Sequence, residues 1–358
     1  MPVSRPEMDS RHYGFAIVGC GMIAGFHAKA IEALPNASLR AVQSRSADSA
    51  RRLGDEHGVD WTTSLRELTD REDVDVISVC TPSGAHMEPA LAAAQAGKHV
   101  LVEKPLEITL ARCDTIIHAC YDTGVALCGV FQSRFHKIGR LIRDTIRSGR
   151  FGTLTMADAR VKWWRSQDYY DDGGWKGTVA LDGGGALMNQ SIHAIDLLRW
   201  WMGPVSEVAA FSATLGHERI EVEDTAVAAL RFKNGALGTI EGATSVYPGF
   251  FKRLEVSGTR GSVIVEEEDL VHWEFDEELD GDARIREDYG QQTATGGGAS
   301  DPAAISFDGH RDQFASFLRA LDTGRTPSPD GREARNAVEV ILGIYESART
   351  KRVVSLPF

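Results

Sequence analysis

Short β-rich runs alternate with helical runs over the first part of the chain, and this alternation restricts the possible folds more than any other feature. The apolar runs lie between Tyr13 and Cys128 and are "YGFAIVG", "SLRAVQS", "DVISVC", "KHVLVE" and "VALCGV". The segments between them have helical patterns over about 23–34, 47–57, 85–96 and 110–121. Strands that alternate with helices on this scale predict βαβ units around a parallel sheet. The predominantly apolar runs "VISVC" and "HVLVE" predict strands buried on both faces.

The pattern changes after Gly129. A helix is predicted over about 137–148, followed by long runs with period-2 alternation, among them "GTLTMADARVKWW", "VSEVAAFSATL", "DTAVAALRF" and "GALGTIEGATSV". Asn234-Gly235, between two alternating runs, is a strong hairpin signal. Further helices are predicted at about 184–202, 310–321 and 332–348, and the low-complexity segment 290–309 predicts a long mobile loop. We expect two domains, 11–130 and 131–358, the second an α/β domain with a large, mostly antiparallel, open-faced sheet.

The stretch "AIVGCGMIAGFH" places a GxGxxA turn between the first strand and the first helix. In such a turn Gly19 allows the tight bend, Gly21 lets the backbone approach a pyrophosphate, and Ala24 keeps the helix close to the sheet. The start of the helix, at Met22 and Ile23, offers unpaired N–H groups and a positive dipole to phosphates. The glycines alone are a weak signal. With the strand before them and the helix after them, they favour a Rossmann dinucleotide-binding domain over a purely structural turn.

The end of the second predicted strand bears on the choice of cofactor. NAD-binding domains usually place an acidic residue about 20 residues after the glycine turn, where it binds the ribose hydroxyls. Here Ser44, Arg45 and Ser46 occupy that place. A guanidinium between two hydroxyls fits a 2′-phosphate better than a free 2′-hydroxyl, so the prediction is NADP or NAD, with NADP favoured. The alternative is that Arg45 is a solvated residue at the start of a helix.

Charge and composition exclude several classes of protein. The chain has 39 Lys and Arg against 51 Asp and Glu, a net charge of −12 that repels nucleic-acid backbones and anionic membranes. The N-terminal letters contain no apolar signal segment, and no later run is apolar over the length that a membrane span needs. The 5 cysteines form no CxxC pair, which favours reduced thiols. We therefore expect a soluble cytoplasmic protein that binds neither nucleic acid nor membranes.

Polar residues follow the glycine run in "DGGGALMNQSIHAID". Asp182 is a candidate N-cap for the helix that this run begins. On that helix Asn189, His193 and Asp196 share a polar stripe through i, i+4 and i+3 spacing, next to an apolar stripe. A lone histidine on a helix is usually structural. This one lies near two other polar residues, behind glycines that permit close approach of a ligand.

The segment "KWWRSQDYYDDGGWKGT" combines aromatic rings with hydrogen-bond donors. Apolar sugar faces pack on such rings while sugar hydroxyls meet polar groups, so Trp164, Arg165 and Tyr169 are candidate substrate-binding residues. The alternative is a contact between subunits, because Trp, Tyr and Arg are also enriched at protein interfaces. No His/Cys cluster has zinc spacing, and no metal is predicted.

Taken together, "GCGMIA", "CTPSGAHMEPALAAAQAGKHVLVEKPLEIT", "GGGALMNQSIHAIDLLRWWMG" and the β-rich second half resemble the Gfo/Idh/MocA family of NAD(P)-dependent oxidoreductases, over essentially the whole chain. The resemblance implies hydride transfer between nicotinamide and a sugar, inositol or related polyol. It also implies that Lys104 is the catalytic cation near the nicotinamide and that His193 is the catalytic histidine. The implied cofactor contacts are Thr81, Pro82, His86, Glu103, Lys104 and Gln132. Without the resemblance, Lys104 is equally well a solvated lysine at the end of a strand.

One position departs from the family pattern. Many members have an aspartate four residues before the catalytic histidine, whereas this chain has Asn189, which cannot accept a proton and can only orient substrate hydroxyls or His193. His193 and Lys104 are then the expected acid/base pair, with Asn189 beside them. Members with asparagine here are similar to enzymes that oxidise position 3 of nucleotide-linked amino sugars, and that substrate class is an alternative. A non-catalytic regulator with the same fold is a second alternative, against which the presence of both Lys104 and His193 argues.

The expected partners are a small carbohydrate-like substrate and further copies of the chain. A sheet face that helices leave uncovered exposes apolar side chains, which a second copy can bury. We therefore expect a homodimer or homotetramer that packs through the C-terminal sheet.

Overall fold

The computed structural model describes residues 11–171, 174–290 and 306–358, in which the strands form two sheets. The strands of the first sheet are β1 (Tyr13–Val18), β2 (Ala37–Gln43), β3 (Asp60–Thr62), β4 (Val76–Val79), β5 (His99–Val102) and β6 (Leu127–Gly129). They are all parallel, in the order β3-β2-β1-β4-β5-β6. The strand order reverses at β1, and open sheets of this kind bind ligands outside the carboxyl ends of the strands at such a point.

The helices between these strands are α1 (Met22–Glu32), α2 (Ala47–His57), α3 (Leu65–Thr69), α4 (Met87–Gln95) and α5 (Leu110–Thr123). The predicted parallel sheet of βαβ units is thereby confirmed. The sequence missed β3 and α3 because runs of 3 and 5 residues are too short to show a period. It also merged two elements near residue 85, where the turn Ser83–Ala85 is a separate 3₁₀ helix before α4.

The second sheet has eight strands and confirms the predicted large, mostly antiparallel sheet. Its strands are β7 (Leu154–Lys162), β8 (Val205–Ala213), β9 (Thr225–Phe232), β10 (Leu237–Ala243), β11 (Arg253–Gly258), β12 (Gly261–Glu266), β13 (Asp269–Phe275) and β14 (Val354–Ser355). The order is β13-β12-β11-β7-β10-β9-β8-β14, and β7 with β10 is the one parallel pair of this described sheet. Asn234-Gly235 forms the predicted hairpin turn between β9 and β10, with Gly235 at φ +92°.

Helices cover one face of the second sheet. Helices α8 (Ile192–Met202) and α11 (Gly331–Thr350) pack against β7 and β8, and α6 (Lys137–Arg147) packs against α8. Buried and exposed residues alternate along β9, so its other side chains face away from these helices. The uncovered face carries exposed apolar side chains from four neighbouring strands: Met156, Phe211, Val227 and Leu237. Within the described ranges, none of the helices is long and apolar enough to cross a membrane.

A helix late in the chain returns to the first sheet. The remaining helices are α7 (Gln167–Asp171), α9 (Asp282–Tyr289) and α10 (Asp308–Asp322). Helix α10 packs on α1, and the ring of Phe314 stacks on that of Phe15 at 6.3 Å between centroids. Phe317 and Leu318 are buried in the same cluster, so α10 completes the core of the first sheet although it lies within 131–358. Most of the predicted loop at 290–309 lies outside the described residues.

The helix predicted over 184–202 begins differently from the prediction. Residues Ala186–Ser191 form a π-helix, which continues into α8. The predicted N-cap was wrong, because Gly185 holds the cap position and has no side-chain cap. The carboxylate of Glu223 instead accepts the N–H groups of Gly185 and Leu187, at 3.0 and 2.8 Å. The first N–H groups of the helix are therefore satisfied by a residue that lies just before β9, and Asp182 is left to make other contacts.

The predicted polar stripe on this helix is also incomplete. Asp196 forms a bidentate ion pair with Arg134, at 2.7 and 2.6 Å, with both side chains almost fully buried. Arg134 also contacts Glu333 at the start of α11. Asp196 is therefore engaged in a buried structural ion pair. The pair connects α8 to the 3₁₀ turn Gln132–Phe135, which follows the last strand of the first sheet.

Breaking this ion pair is expected to destabilise the fold. Asp196→Asn keeps the shape but leaves the buried guanidinium of Arg134 without its main counter-charge, so the free energy of unfolding in urea should fall by about 3 kcal/mol or more. As a matched control, Glu207→Gln removes the exposed pair with Arg231 and should cost less than about 1 kcal/mol. Similar losses in the two variants would contradict the structural role of the buried pair.

Candidate active site

The glycine turn between β1 and α1 forms an open cradle. Gly19 has φ +93°, and a Cβ at that position would lie 2.6 Å from the backbone of Cys80, which directly follows β4. Gly21 caps α1 without a side chain, and a Cβ there would have no protein atom within 4 Å. Met22, the first residue of α1, is exposed, and Ile23 is partly buried. The cradle thus has free space in front of a helix N-terminus, which fits the pyrophosphate of a dinucleotide.

Ser44, Arg45 and Ser46 lie between β2 and α2. The hydroxyl of Ser46 caps α2 by accepting the N–H of Ser49 at 3.3 Å, and Ser44 Oγ accepts the N–H of Ser46 at 3.3 Å. Arg45 is exposed, and none of the carboxylates in the described ranges forms an ion pair with it. The guanidinium is therefore available at the end of β2, on the same edge of the sheet as the glycine turn.

The residues after β4 brace a second turn at this edge. Thr81 Oγ1 donates to the carbonyl of Ala85 at 2.8 Å, and Pro82 precedes the short 3₁₀ helix. The buried ring of His86 faces the carbonyl oxygens of Pro105 and Thr81, at 2.8 and 2.9 Å. Burial lowers the pKa of His86, whereas the two carbonyl oxygens favour the protonated ring, in which both nitrogens are donors. Because both ring nitrogens face backbone oxygens, His86 joins the Thr81 turn to the turn that contains Lys104.

Glu103, at the end of β5, is buried and supported by histidines from both ends of the chain. His27 Nε2 lies 2.9 Å from Oε1, His310 Nε2 lies 3.6 Å from it, and the N–H of Lys104 donates to Oε2 at 2.9 Å. Although burial opposes ionisation, the contacts with His27 and His310 hold the pKa of Glu103 well below its usual range. Glu103 therefore anchors the backbone of the next residue, Lys104.

His27, Glu103 and His310 also form the one group of metal-ligating side chains that comes together in the described part of the chain, with ligand atoms within 4.8 Å of one another. The 2.9 Å between His27 Nε2 and Glu103 is a direct hydrogen bond, and His27 Nδ1 is bonded to Ser78 Oγ at 2.7 Å. The geometry is that of a hydrogen-bonded support, and we assign no metal to it.

The side chain of Lys104 reaches the π-helix that precedes α8. Its Nζ donates to the carbonyl oxygen of Asn189 at 2.8 Å and lies 3.4 Å from Asn189 Oδ1. The amide of Asn189 in turn donates to Asp182 Oδ1 at 2.8 Å. Burial lowers the pKa of Lys104, and the charges of Glu103 and Asp182 oppose that shift. The lysine predicted at the sheet edge is thus a partly buried cation held by the π-helix.

His193 lies on the first turn of α8. Its Nε2 is 3.5 Å from Gln132 Nε2, and its ring packs edge-on against Phe131 at 5.8 Å between centroids. Burial, followed by the charge of Lys104, lowers the pKa of His193 well below its usual value. His193 Nδ1 has no hydrogen-bond partner among the described residues. A neutral imidazole with one unused nitrogen can accept or donate a proton of a bound hydroxyl.

The aromatic segment 162–178 lies next to Asn189 because two of its residues contact Gln190, which the sequence analysis did not predict as a site residue. Arg165 Nη2 donates to Gln190 Oε1 at 3.0 Å, and Gln190 Nε2 donates to the hydroxyl of Tyr169 at 2.9 Å. Trp164 pairs with Ser245 beside β10 and packs edge-on against Tyr247 at 5.5 Å. Asn189 and Gln190 are adjacent polar residues in the otherwise mainly apolar run "ALMNQSI". That pair was the sequence signal that could have identified Gln190 as a site residue.

Two family models match the chain. Residues 13–131 match "Oxidoreductase family, NAD-binding Rossmann fold", and residues 140–264 match "GFO/IDH/MocA C-terminal domain". The first contains the glycine cradle and Lys104, and the second contains Asn189 and His193.

Individual proteins match over most of the chain. The chain is 33% identical to the WlbA dehydrogenase from Bordetella pertussis, whose crystal structure is a complex with NADH and UDP-GlcNAcA, with a TM-score of 0.87 over 97% of this chain and 98% of that one. It is 28% identical over 355 residues to myo-inositol 2-dehydrogenase of Thermotoga maritima, covering 95% of this chain and 97% of the relative. It is 31% identical over 253 residues to the uncharacterized oxidoreductase YrbE of Bacillus subtilis, covering 69% and 71%.

Gly21 is expected to be needed for dinucleotide binding, whereas Gly19 is expected to be needed for stability. Gly21→Ala should leave the melting temperature unchanged, because its Cβ meets no protein atom, but should weaken NADH binding by about tenfold or more by filling the space before the helix. Gly19→Ala should lower the free energy of unfolding by about 2 kcal/mol or more, because of its positive φ and the contact with Cys80. Thermal melting and fluorescence titration with NADH test both. Unchanged NADH affinity in Gly21→Ala would contradict the cradle.

Proposed function

The chain belongs to the GFO/IDH/MocA oxidoreductase family, and we propose that it transfers a hydride between a nicotinamide dinucleotide and the carbinol carbon of a sugar-like alcohol or ketone. The observation that carries this proposal is the contact of Lys104 with Asn189, near the neutral His193. Lys104 follows β5 and the glycine cradle follows β1, so both lie at the carboxyl edge of one parallel sheet. A cofactor in the cradle and a substrate between the sheets then share this edge.

The residues of the site would manage the proton of the substrate hydroxyl. When bound, the dinucleotide supplies the hydride acceptor for oxidation and the donor for reduction. In the direction of oxidation, Lys104 Nζ or the imidazole of His193 takes the hydroxyl proton as the carbonyl forms. In the reverse direction the same groups return the proton and stabilise negative charge on the oxygen. Asn189 orients the lysine and offers hydrogen bonds to neighbouring hydroxyls. Burial lowers the pKa of Lys104 and of His193, so each releases a proton more readily than the same group in water.

The substrate is proposed to be a carbohydrate or a polyol. Arg165 and Tyr169 border the site through Gln190, and the carbonyl of Trp164 accepts from Arg165. The three residues combine apolar rings with donors, as carbohydrate sites do. Myo-inositol 2-dehydrogenase, 28% identical over nearly the whole chain, supports a free polyol or sugar.

A nucleotide-linked amino sugar is a second candidate substrate. It is favoured by the presence of Asn189 in place of an aspartate and by the 33% identity to WlbA, which binds UDP-GlcNAcA. A panel of free sugars, inositols and UDP-linked amino sugars, assayed with NAD and NADP by nicotinamide absorbance, separates the two classes. Turnover of none of them would contradict the proposed function.

Further copies of the chain are proposed to cover the open face of the second sheet. Met156, Phe211, Val227 and Leu237 form an apolar row there, and homo-oligomers commonly bury such faces. On this proposal 11–130 binds the dinucleotide, while 131–358 binds substrate and a second copy. The buried, unpaired cysteines of the chain support a cytoplasmic location.

Loss of either proton-transfer residue is expected to reduce turnover. Lys104→Met and His193→Ala should each lower kcat by about 100-fold or more on the substrate found with the panel, because general acid/base groups contribute that much. NADH affinity should stay within about twofold in both. Lys233→Ala, at the exposed β9-β10 turn, is the matched control and should keep the wild-type kcat. A wild-type kcat in His193→Ala would contradict its assigned role.

Arg45 is proposed to favour NADP over NAD. The 2′-phosphate would lie against a guanidinium with no carboxylate partner among the described residues, and a charge-assisted hydrogen bond contributes roughly 1.5 to 3 kcal/mol. Binding of NADPH should therefore be about tenfold tighter than binding of NADH. Arg45→Ala should remove most of the difference, and Ser44→Asp should reverse it by repelling the phosphate. Isothermal titration with both dinucleotides measures this. Equal affinities, or tighter binding of NADH by the wild type, would contradict the proposal.

A further inference from the structure

Asp182 occupies a position that neither the predicted cap nor the proposed chemistry explains. It directly precedes the glycine run and is 1% exposed. Oδ2 accepts the N–H of Gly177 at 2.8 Å, and Oδ1 accepts the amide of Asn189 at 2.8 Å. Both carboxylate oxygens therefore face N–H donors, an arrangement that suits an ionised carboxylate.

The contact with Asp182 determines which way the amide of Asn189 points. An ionised carboxylate only accepts hydrogen bonds, so the NH₂ end of the amide must face Asp182. The oxygen end then faces the ammonium group of Lys104, at 3.4 Å, which only donates. Reversing the amide would place two donors against each other at Lys104. Asp182 thus fixes the orientation of the amide of Asn189, which lies seven residues further along the chain.

We propose that Asp182 is a positioning residue for the catalytic lysine: its carboxylate fixes the amide of Asn189, and the amide in turn holds the ammonium group of Lys104. This inference rests on the proposed function and adds to it a residue outside the catalytic pair. It also accounts for the departure at Asn189. Many family members have a carboxylate four residues before the histidine. In this chain Asp182, which precedes the glycine run, supplies the carboxylate, and the amide of Asn189 lies between it and Lys104.

The charges around Lys104 agree with this arrangement. Glu103 on its own turn and Asp182 from the glycine run favour the ammonium form, whereas Arg165 opposes it and His193 is neutral. Burial raises the pKa of Asp182 to about 7, against the hydrogen bonds from Gly177 and Asn189 and the charge of Lys104. The nearby carboxyl of Glu223 raises it as well. Above about pH 7, Asp182 is therefore ionised. Its negative charge favours the ammonium form of Lys104, and its hydrogen bond orients the Asn189 amide toward that group.

Two isosteric variants separate this role from simple packing. In Asp182→Asn, the new amide can donate to Asn189 only if the Asn189 amide turns over, and its NH₂ group then faces the ammonium of Lys104. Adding Asn189→Asp restores every contact. In that double variant the amide introduced at position 182 accepts the N–H of Gly177 and donates to the carboxylate introduced at position 189. The second oxygen of that carboxylate accepts the ammonium of Lys104.

The first measurement needs neither substrate nor cofactor. The titration of Lys104 is followed by NMR of ¹³C-labelled lysine in the whole protein, with the signal assigned by its absence in Lys104→Met. In Asp182→Asn the midpoint should move to lower pH, because the ammonium loses an attractive charge and meets a donor. In the double variant the midpoint should return to the wild-type value or above it. An unchanged midpoint in Asp182→Asn would overturn the proposal.

The second measurement uses turnover. With the substrate found by the panel, Asp182→Asn should lower kcat by about tenfold, as loss of a supporting residue often does, and shift the pH limb of oxidation to lower pH. The double variant should recover most of the loss. Asp168→Asn, which removes a carboxylate from α7, should match the wild type. A double variant no better than Asp182→Asn would show a merely structural role and overturn the proposal. Failure of the wild type to turn over any substrate would instead contradict the proposed function, while the NMR result would stand.

Discussion

The ammonium group of Lys104 is partly buried, and the rest of the site supplies the acceptors and negative charge that this burial requires. A buried cation is stable only when acceptors and negative charge surround it. The first sheet supplies part of this through Glu103, which holds the backbone of Lys104 and lies next to it. The π-helix before α8 supplies the remainder through the carbonyl and side chain of Asn189. The lysine therefore joins the two sheets, and any change in their relative position changes its surroundings.

The π-helix before α8 is the element that makes this contact possible. Its start is held by Glu223 rather than by a local cap, so the glycine run remains free to pass close to neighbouring backbone. Gly185 is required there, because a Cβ would lie 1.8 Å from the carbonyl oxygen of Glu223. The same run brings Asp182 and Asn189 together. Irregular helical turns of this kind are frequent at functional sites.

The sequence predicted those features that depend on local pattern. The βαβ alternation, the glycine turn and the Asn234-Gly235 hairpin follow from periods and turn residues within short windows, and all three are present in the structure. The positions of Asp182 and Asp196 were not predictable in this way. Both depend on partners that are distant in the chain: Asp196 pairs with Arg134, and Glu223 holds the start of the π-helix, which leaves Asp182 to contact Asn189. Gln190 was missed for a related reason, since its partners Arg165 and Tyr169 lie 25 and 21 residues before it and meet it only through the tertiary fold.

Helix α10 has a consequence for how the chain folds during synthesis on the ribosome. The core of the first sheet includes Phe314, Phe317 and Leu318 beside Phe15 and Leu101, and these three residues of α10 are translated long after the strands of that sheet. The nascent first sheet therefore emerges with an unfilled apolar surface where α10 will pack. Long-range contacts of this kind slow folding and leave intermediates exposed to aggregation. The dinucleotide cradle can thus reach its final stability only after α10 has been translated.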